Sequence, residues 1–257
     1  MQITLIQPDI RWGDIEANTA HMEQLLATAP PSELYVLPEM WSTGFCTDHS
    51  VMAEESTLAE KRMKRLSDIV GSNVAGGLMV KETCSGNVKY FNRHYISIHG
   101  KGVIHYDKRH LFGYGGEGET FTRGNERVVV TCCGWRWLLQ TCYDLRFPVW
   151  SRYRGDYDGI IYIASWPTKR RKAWETLLRA RSIENQCVVC GVNRVGTDPR
   201  CSYSGGSMLF NERGELLVQC ADDEEGFASY DLQLNPLKEY RERFPVLGDR
   251  DNYEFIY

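Results

Sequence analysis

A thiol, a carboxylate and an ammonium each stand where an apolar, strand-like run breaks off: Cys142 after residues 138–141, Glu39 after 34–37, and Lys108 after 102–106. A cysteine at such a point is held by the sheet yet faces the cleft formed where the strand stops, the place for a nucleophile. A carboxylate at the end of a buried strand is unfavourable unless it is paired or used, which marks Glu39 as an acid-base group. Lys108 would favour the thiolate by its charge. Sheets with parallel strands gather such strand-end groups at one edge, however far apart they lie in sequence. The residues alone leave a second reading open, in which Glu39 is a surface acid, Lys108 a solvated lysine and Cys142 a core thiol.

A cysteine nucleophile usually takes histidine as its base, so His21, His49, His94, His99, His105 and His110 are all candidates. None stands out. His21 falls in a helical pattern, His99 and His105 flank the turn at Gly100-Lys101-Gly102, and His110 is the best placed because it follows Lys108 by two.

The elements that must position these groups are short Val-, Ile- and Tyr-rich runs at 3–6, 34–37, 74–80, 95–98, 128–130, 138–141, 159–164 and 188–192. Several lack polar alternation and read as strands buried on both faces. Helical periodicity covers 15–29 after the cap candidate Asp14, then 58–70 and 172–185, the last with Trp174, Leu177, Leu178, Ala180 and Ile183 as its apolar positions. Further strands at 207–210, 216–219 and 227–232 follow, with Asn211 to Gly214 as a hairpin turn. Asn235-Pro236 opens a last short helix that Phe244-Pro245 ends. The pattern predicts an α/β fold with mixed sheets. The glycine-rich stretch 113–124 is the longest interruption, and a loop of that length in a compact domain is more often functional than incidental.

The 257 residues read as one domain, 1–257, of ordinary soluble composition. A formal charge of -4 argues against a nucleic-acid partner, and no apolar run approaches a membrane span. The opening residues lack a signal-peptide pattern, so a cytoplasmic location is expected. Nine irregularly spaced cysteines do not suggest a disulfide framework. Cys187-Val188-Val189-Cys190 has redox or zinc spacing but lies in an apolar strand pattern without a second pair, and Cys132-Cys133 reads as a strand end.

Leu37-Pro38-Glu39-Met40, Tyr106-Asp107-Lys108-Arg109-His110-Leu111-Phe112 and Cys142-Tyr143-Asp144-Leu145-Arg146-Phe147-Pro148 occur in the order and approximate spacing of the nitrilase superfamily, the carbon-nitrogen hydrolases. The likeness extends through Gly159 to Trp166, the helix holding Arg179 to Gln186, and Tyr203-Ser204-Gly205-Gly206-Ser207. Within the superfamily the chain most resembles the omega-amidase branch, which hydrolyses the terminal amide of α-keto acid amides such as α-ketoglutaramate and α-ketosuccinamate. The stretch from Cys142 to Trp150 carries that choice.

The resemblance implies a four-layer αββα sandwich, a homodimer and no cofactor; against a metal-dependent amidohydrolase, the sequence has no His-x-His, His-Glu-x-x-His or paired-cysteine constellation. It places Glu39, Lys108 and Cys142 in a Glu-Lys-Cys triad and adds a second glutamate after the lysine. Counted back from Gly124, which matches a family glycine, that residue is Glu117; Glu119 is the alternative. Tyr143, Phe112, Trp166 and Phe45 adjoin the matched motifs as candidate substrate contacts, with core aromatics as the competing reading. Arg146 is the arginine nearest the nucleophile for a substrate carboxylate, unless Asp144 holds it in a salt bridge. The C-terminal stretch 244–257, with Phe255, Ile256 and Tyr257 exposed, is the expected dimer contact. The same triad serves aliphatic amidases, nitrilases and N-carbamoyl amino acid hydrolases, and an idle scaffold that keeps the fold is a rival from another class.

Overall fold

The computed structural model describes residues 1–46, 52–84 and 86–255. Strands β1 (Gln2–Gln7), β2 (Leu34–Val36), β3 (Glu54–Glu55), β4 (Asn73–Cys84), β5 (Asn87–Ile98) and β6 (Gly102–Asp107) build the first sheet. A later strand, Gly226–Asp231, closes it in the order Gly226–Asp231, β1, β2, β4, β5, β6, with β3 beside β4. The second sheet holds β7 (Val129–Cys132), β8 (Trp135–Thr141), β9 (Gly159–Ile163) and β10 (Val188–Val192), extended by two strands, Met208–Phe210 and Leu216–Gln219. Strands β11 (Val195–Thr197) and β12 (Ser202–Ser204) form a separate hairpin. Both sheets are mixed: β1, β2 and β4 run parallel in the first and β8, β9 and β10 in the second, with antiparallel partners outside them.

Alternation of side chains along each strand makes four layers. Leu34 and Val36 of β2, Trp137 and Leu139 of β8, Ile161 and Ile163 of β9, and Val188, Cys190 and Val192 of β10 share the core between the sheets. Their neighbours Tyr35, Leu138, Ile160, Tyr162 and Val189 point outward, under the helices. Helices α1 (Ile15–Thr28) and α2 (Ser56–Val70) cover the first sheet through Met22, Leu26, Ala59, Met63 and Leu66. Two short helices, α3 (Glu117–Thr120) and α4 (Pro148–Ser151), precede α5 (Arg171–Asn185), which covers the second sheet through Trp174 and Leu178. Each of the core strands is therefore apolar on both faces, which explains the near-continuous runs in the sequence. Asp14 caps α1 as expected, its carboxylate accepting from the Ala17 N–H at 3.0 Å. Cys187 and Cys190 face opposite layers and form no pair.

Among the described residues, no helix is long and apolar enough to cross a membrane. The C-terminal stretch differs from expectation. Phe255 is half-buried, its ring 5.0 Å from that of Trp150, because an aromatic next to an apolar floor gains more by packing down than by facing water. Ile256 and Tyr257 lie outside the described residues.

Candidate active site

Three turns converge over the ends of β2, β6 and β8. The first carries Glu39. After β2 the chain bends so tightly that Met40 has φ +47°, and the bend is pinned on β4: the Gly77 N–H donates to the Pro38 carbonyl at 3.0 Å and the Trp41 N–H to the Gly77 carbonyl at 3.1 Å. A side chain at Gly77 would put its Cβ 2.8 Å from Ile163 Cδ1 and 3.0 Å from the Glu39 Cα, so only glycine lets the turn lie this close to the strand.

Lys108 follows β6 directly, its N–H bonded to the Asn92 carbonyl and its own carbonyl accepting from Gly124 N–H, both at 3.0 Å. Gly124 has no room for a side chain either: a Cβ would sit 2.1 Å from the Asp107 carbonyl oxygen. That contact folds the glycine-rich loop back and delivers Glu117, the first residue of α3, to the lysine. The Lys108 Nζ donates to Glu39 Oε1 at 2.9 Å and to Glu117 Oε1 and Oε2 at 3.0 and 2.8 Å. All three side chains are fully buried. Glu119 is exposed, which decides between the two glutamates as neighbours of the lysine.

Each carboxylate has further donors. Glu39 Oε1 accepts from Asn92 Nδ2 at 2.7 Å and Oε2 from the Ser165 N–H at 2.8 Å. Glu117 Oε1 accepts from the same Asn92 Nδ2 at 2.8 Å, and its Oε2 from the Phe112 N–H at 2.6 Å. Two acids, one ammonium and one amide thus form a single buried network in which every carboxylate oxygen has a donor.

Cys142 opens a tight turn, Cys142–Arg146, at the end of β8 with φ +47°, a strained conformation for a non-glycine residue that lifts its side chain away from the strand. Asp144 holds that turn. Its Oδ2 accepts from the Thr141 N–H at 3.0 Å and the Tyr106 hydroxyl at 2.8 Å, and its Oδ1 from the His110 N–H at 2.9 Å. The elbow of the second sheet is thereby tied to the loop that follows β6 in the first. His110, the best placed of the histidines, is taken up here: Nδ1 lies 2.8 Å from Asp144 Oδ1 and the ring stacks on Phe147 at 4.0 Å. His49 lies outside the described residues.

Charge at the site departs from expectation in one respect. Burial pushes the Cys142 thiol well above its ordinary range, and the Glu39 carboxylate pushes the same way, against the attraction of Lys108. Desolvation of a thiolate outweighs one ammonium already shared by two acids, which favours the thiol form. Burial would lower the Lys108 pKa, but Glu117 and then Glu39 hold it above the usual lysine range. Burial raises the Glu117 carboxyl, with Lys108 opposing.

A cleft of about 260 Å³ opens on Cys142 and Lys108. Phe45, Phe112, Tyr143 and Trp166 all line it, so each of the four candidate contacts is a wall residue. The Phe112 and Tyr143 rings meet edge to face at 5.1 Å. Arg146 does not pair with Asp144, whose oxygens are occupied; its guanidinium lies 5.1 Å over the Trp166 ring and faces the cleft.

Comparison with known proteins settles the family. The carbon-nitrogen hydrolase sequence profile matches residues 2–242. The chain belongs to the carbon-nitrogen hydrolases. Among its relatives, the omega-amidase YafV of Yersinia enterocolitica is 40% identical over 98% of each chain, and that of Escherichia coli strain K12 is 38% identical over the same share. A 2-oxoglutaramate amidase of Bacillus subtilis is 30% identical over 96% of each. Of solved structures, XC1258 from Xanthomonas campestris, a CN-hydrolase superfamily protein, superposes with a TM-score of 0.91 at 34% identity, covering 99% of this chain and 98% of that one. The four-layer α/β sandwich is therefore the family fold.

The parts of this hydrolase's site that sequence reasoning did not reach are polar groups inside strands and loops. The triad residues were expected at one sheet edge; they come from two sheets, Glu39 and Lys108 from the first and Cys142 from the second. Asn92 is buried in β5, where an amide between Phe91 and Arg93 gives no sign of its partners. Asn193 fixes the wall, its Oδ1 accepting from the Trp166 N–H at 2.8 Å and its Nδ2 donating to the Trp166 carbonyl at 3.0 Å. The hairpin of β11 and β12 supplies the far side of the cleft; with three residues per strand it carried no periodic signal.

Proposed function

We propose that the chain is an omega-amidase, releasing ammonia from the terminal amide of a small α-keto acid amide of the α-ketoglutaramate or α-ketosuccinamate type. The reaction class follows from the family, and the substrate from the relatives named omega-amidase and 2-oxoglutaramate amidase. One observation carries the catalytic assignment: Glu39, Glu117 and Lys108 meet within 3.0 Å, fully buried, beside the cleft onto which Cys142 opens.

In this reading the amide carbonyl enters between Cys142 and Lys108. Glu39 takes the thiol proton as Sγ attacks, so the thiolate forms only as it is used, in keeping with a thiol held high at rest. The oxyanion is met by the Lys108 ammonium and the Tyr143 N–H, which starts the turn after the nucleophile. The protonated Glu39 returns its proton to the amide nitrogen, the C–N bond breaks, and ammonia leaves behind a Cys142 thioester. Glu39 then removes a proton from water, whose oxygen attacks the thioester; collapse restores the thiol and frees the keto diacid. Glu117 keeps Lys108 charged and oriented, and Asn92 fixes both carboxylates at once, which makes it a positioning residue. Tyr143, Phe112, Trp166 and Phe45 wall the substrate chain, and the arginines that line the cleft supply the charge that its carboxylate requires.

The reading takes residues 1–257 as one hydrolase domain working in the cytoplasm as a homodimer. Since Phe255 packs on its own Trp150, a dimer contact in the tail falls on Phe244 and Val246, which are exposed. The deciding experiment incubates the protein and its Cys142→Ala variant with α-ketoglutaramate, glutamine, a short aliphatic amide and a nitrile, and measures ammonia. Release from the keto acid amide by the wild type alone is expected. Turnover of a different substrate only would move the protein to another branch, and silence on all four would leave an idle scaffold.

A further inference from the structure

The cleft carries more positive charge than the reaction centre uses. Lys108 is balanced by Glu39 and Glu117, yet Arg146, Arg170 and Arg200 also line the cavity. Among the described residues neither Arg146 nor Arg170 has a carboxylate partner. Arg171, one position on, shows what an anchored arginine looks like here: it pairs with Glu175 at 2.6 Å and Asp222 at 2.8 Å and donates to the Ser204 carbonyl. Arg170 is instead half-buried with its guanidinium 5.3 Å over the Phe112 ring. Its backbone is fixed as well, since the carbonyl accepts from the Trp166 indole N–H at 2.9 Å. A guanidinium laid on an aromatic face keeps its edge free for a bidentate carboxylate, and it is more weakly hydrated than an ammonium and so easier to desolvate.

The acid on the other side of the cleft is spoken for. Asp198 lines the cavity, but its Oδ1 accepts from the Arg200 and Cys201 N–H groups, both at 2.7 Å, and its Oδ2 from the Tyr203 hydroxyl at 2.6 Å. An α-ammonium entering the cleft would find three guanidinium groups against, among the described residues, one lining carboxylate, which already accepts three hydrogen bonds. A carbonyl at the same carbon accepts hydrogen bonds from those guanidinium groups.

We propose that Arg170 is the specificity-determining residue that selects an ω-amide with a carboxylate at its far end and rejects its α-amino counterpart. This rests on the omega-amidase reading and adds to it the side chain that separates α-ketoglutaramate from glutamine. Arg170 touches the substrate's carboxylate end and takes no part in the proton transfers at Glu39 and Cys142.

The test compares kcat/KM of wild type, Arg170→Gln and Arg170→Lys on α-ketoglutaramate, glutamine and pentanamide, an uncharged amide of the same carbon count. Losing one charge-assisted contact should lower the ketoglutaramate-to-pentanamide ratio roughly 10- to 100-fold in Arg170→Gln, through KM more than kcat. The ketoglutaramate-to-glutamine ratio should fall with it, and Arg170→Lys should fall between. Ratios unchanged from wild type overturn the proposal. If Arg170→Gln does not fold, as judged by its circular dichroism, Arg170→Lys carries the test, with a ratio reduced several-fold expected and an unchanged one refuting. A wild type that turns over pentanamide but not α-ketoglutaramate removes the omega-amidase reading and this proposal with it; a wild type active on α-ketoglutaramate whose variants keep its ratios removes this proposal alone.

Discussion

Replacing Asn92 by aspartate puts an acid where the site now has a donor shared by two carboxylates, 2.7 Å from Glu39 and 2.8 Å from Glu117. At those separations and an effective dielectric constant of about 20, two like unit charges repel by roughly 6 kcal/mol per pair. Holding a proton costs about 1.4 kcal/mol for each pH unit above the group's own pKa. The repulsion wins at neutral pH, so the introduced aspartate stays protonated in the folded chain and donates to one glutamate only. In the unfolded chain the same aspartate ionises near pH 4. Its folded-state pKa lies above its unfolded one, the folded state binds more protons, and stability relative to wild type must fall as pH rises. Between pH 5 and 7 the added loss is about 2.7 kcal/mol, which for a chain of this size lowers the Tm by a further 5–10 °C or so. Thermal melts of wild type, Asn92→Asp and Asn92→Ala at pH 5, 6 and 7 measure it. The alanine variant adds no acid but removes a donor that helps lower the Glu117 carboxyl, so its offset from wild type should grow with pH in the same direction and less steeply than that of Asn92→Asp. Parallel pH dependences for wild type and Asn92→Asp would refute the reasoning, because an aspartate that ionises freely cannot lie between the two glutamates.

Glu117→Gln leaves Lys108 one carboxylate and turns an amide N–H toward the ammonium and, with it, either the Asn92 amide or the Phe112 N–H; kcat should fall roughly 100-fold or more with a smaller change in KM, and stability by about 3 kcal/mol. Steady-state kinetics and a denaturant titration check both. Gly77→Ala presses a methyl group against Ile163 and the Glu39 turn, so stability should drop by roughly 1–3 kcal/mol while kcat falls further than a fold-level loss explains. Alkylation of Cys142 should slow along with kcat in that variant, because the displaced Glu39 is the base that activates the thiol.

What could be read from the sequence were features with a local cause. The helices at 15–28, 56–70 and 171–185 follow from their apolar spacing and, for the first, from Asp14. The buried strands β1, β2, β9 and β10 follow from apolar runs that need two covered faces. Strand β5 begins at Asn87, eight residues before the expected start at Tyr95, because its first residues, Asn87 to Lys89, are exposed and the buried polar pair Asn92 and Arg93 breaks the apolar run. The glutamate of the loop was reached by counting back from Gly124, and the structure supplies the reason: the lack of a side chain there fixes where the loop turns, whatever its length before that point. Asn92 and Arg170 were beyond reach, since what each side chain does depends on groups brought together only by the stacking of sheets and loops.

The origin of Glu39 and Lys108 in one sheet and Cys142 in the other has a consequence for partly folded molecules. A chain in which only one sheet has formed holds either an acid with its ammonium or a strained thiol, and neither can do the chemistry of the whole. Reactivity is thus licensed by the docking of two halves across their shared Ile, Val and Trp layer. Under the proposed assignment, the nucleophile and its base meet only where that layer is closed, so turnover would report the closing.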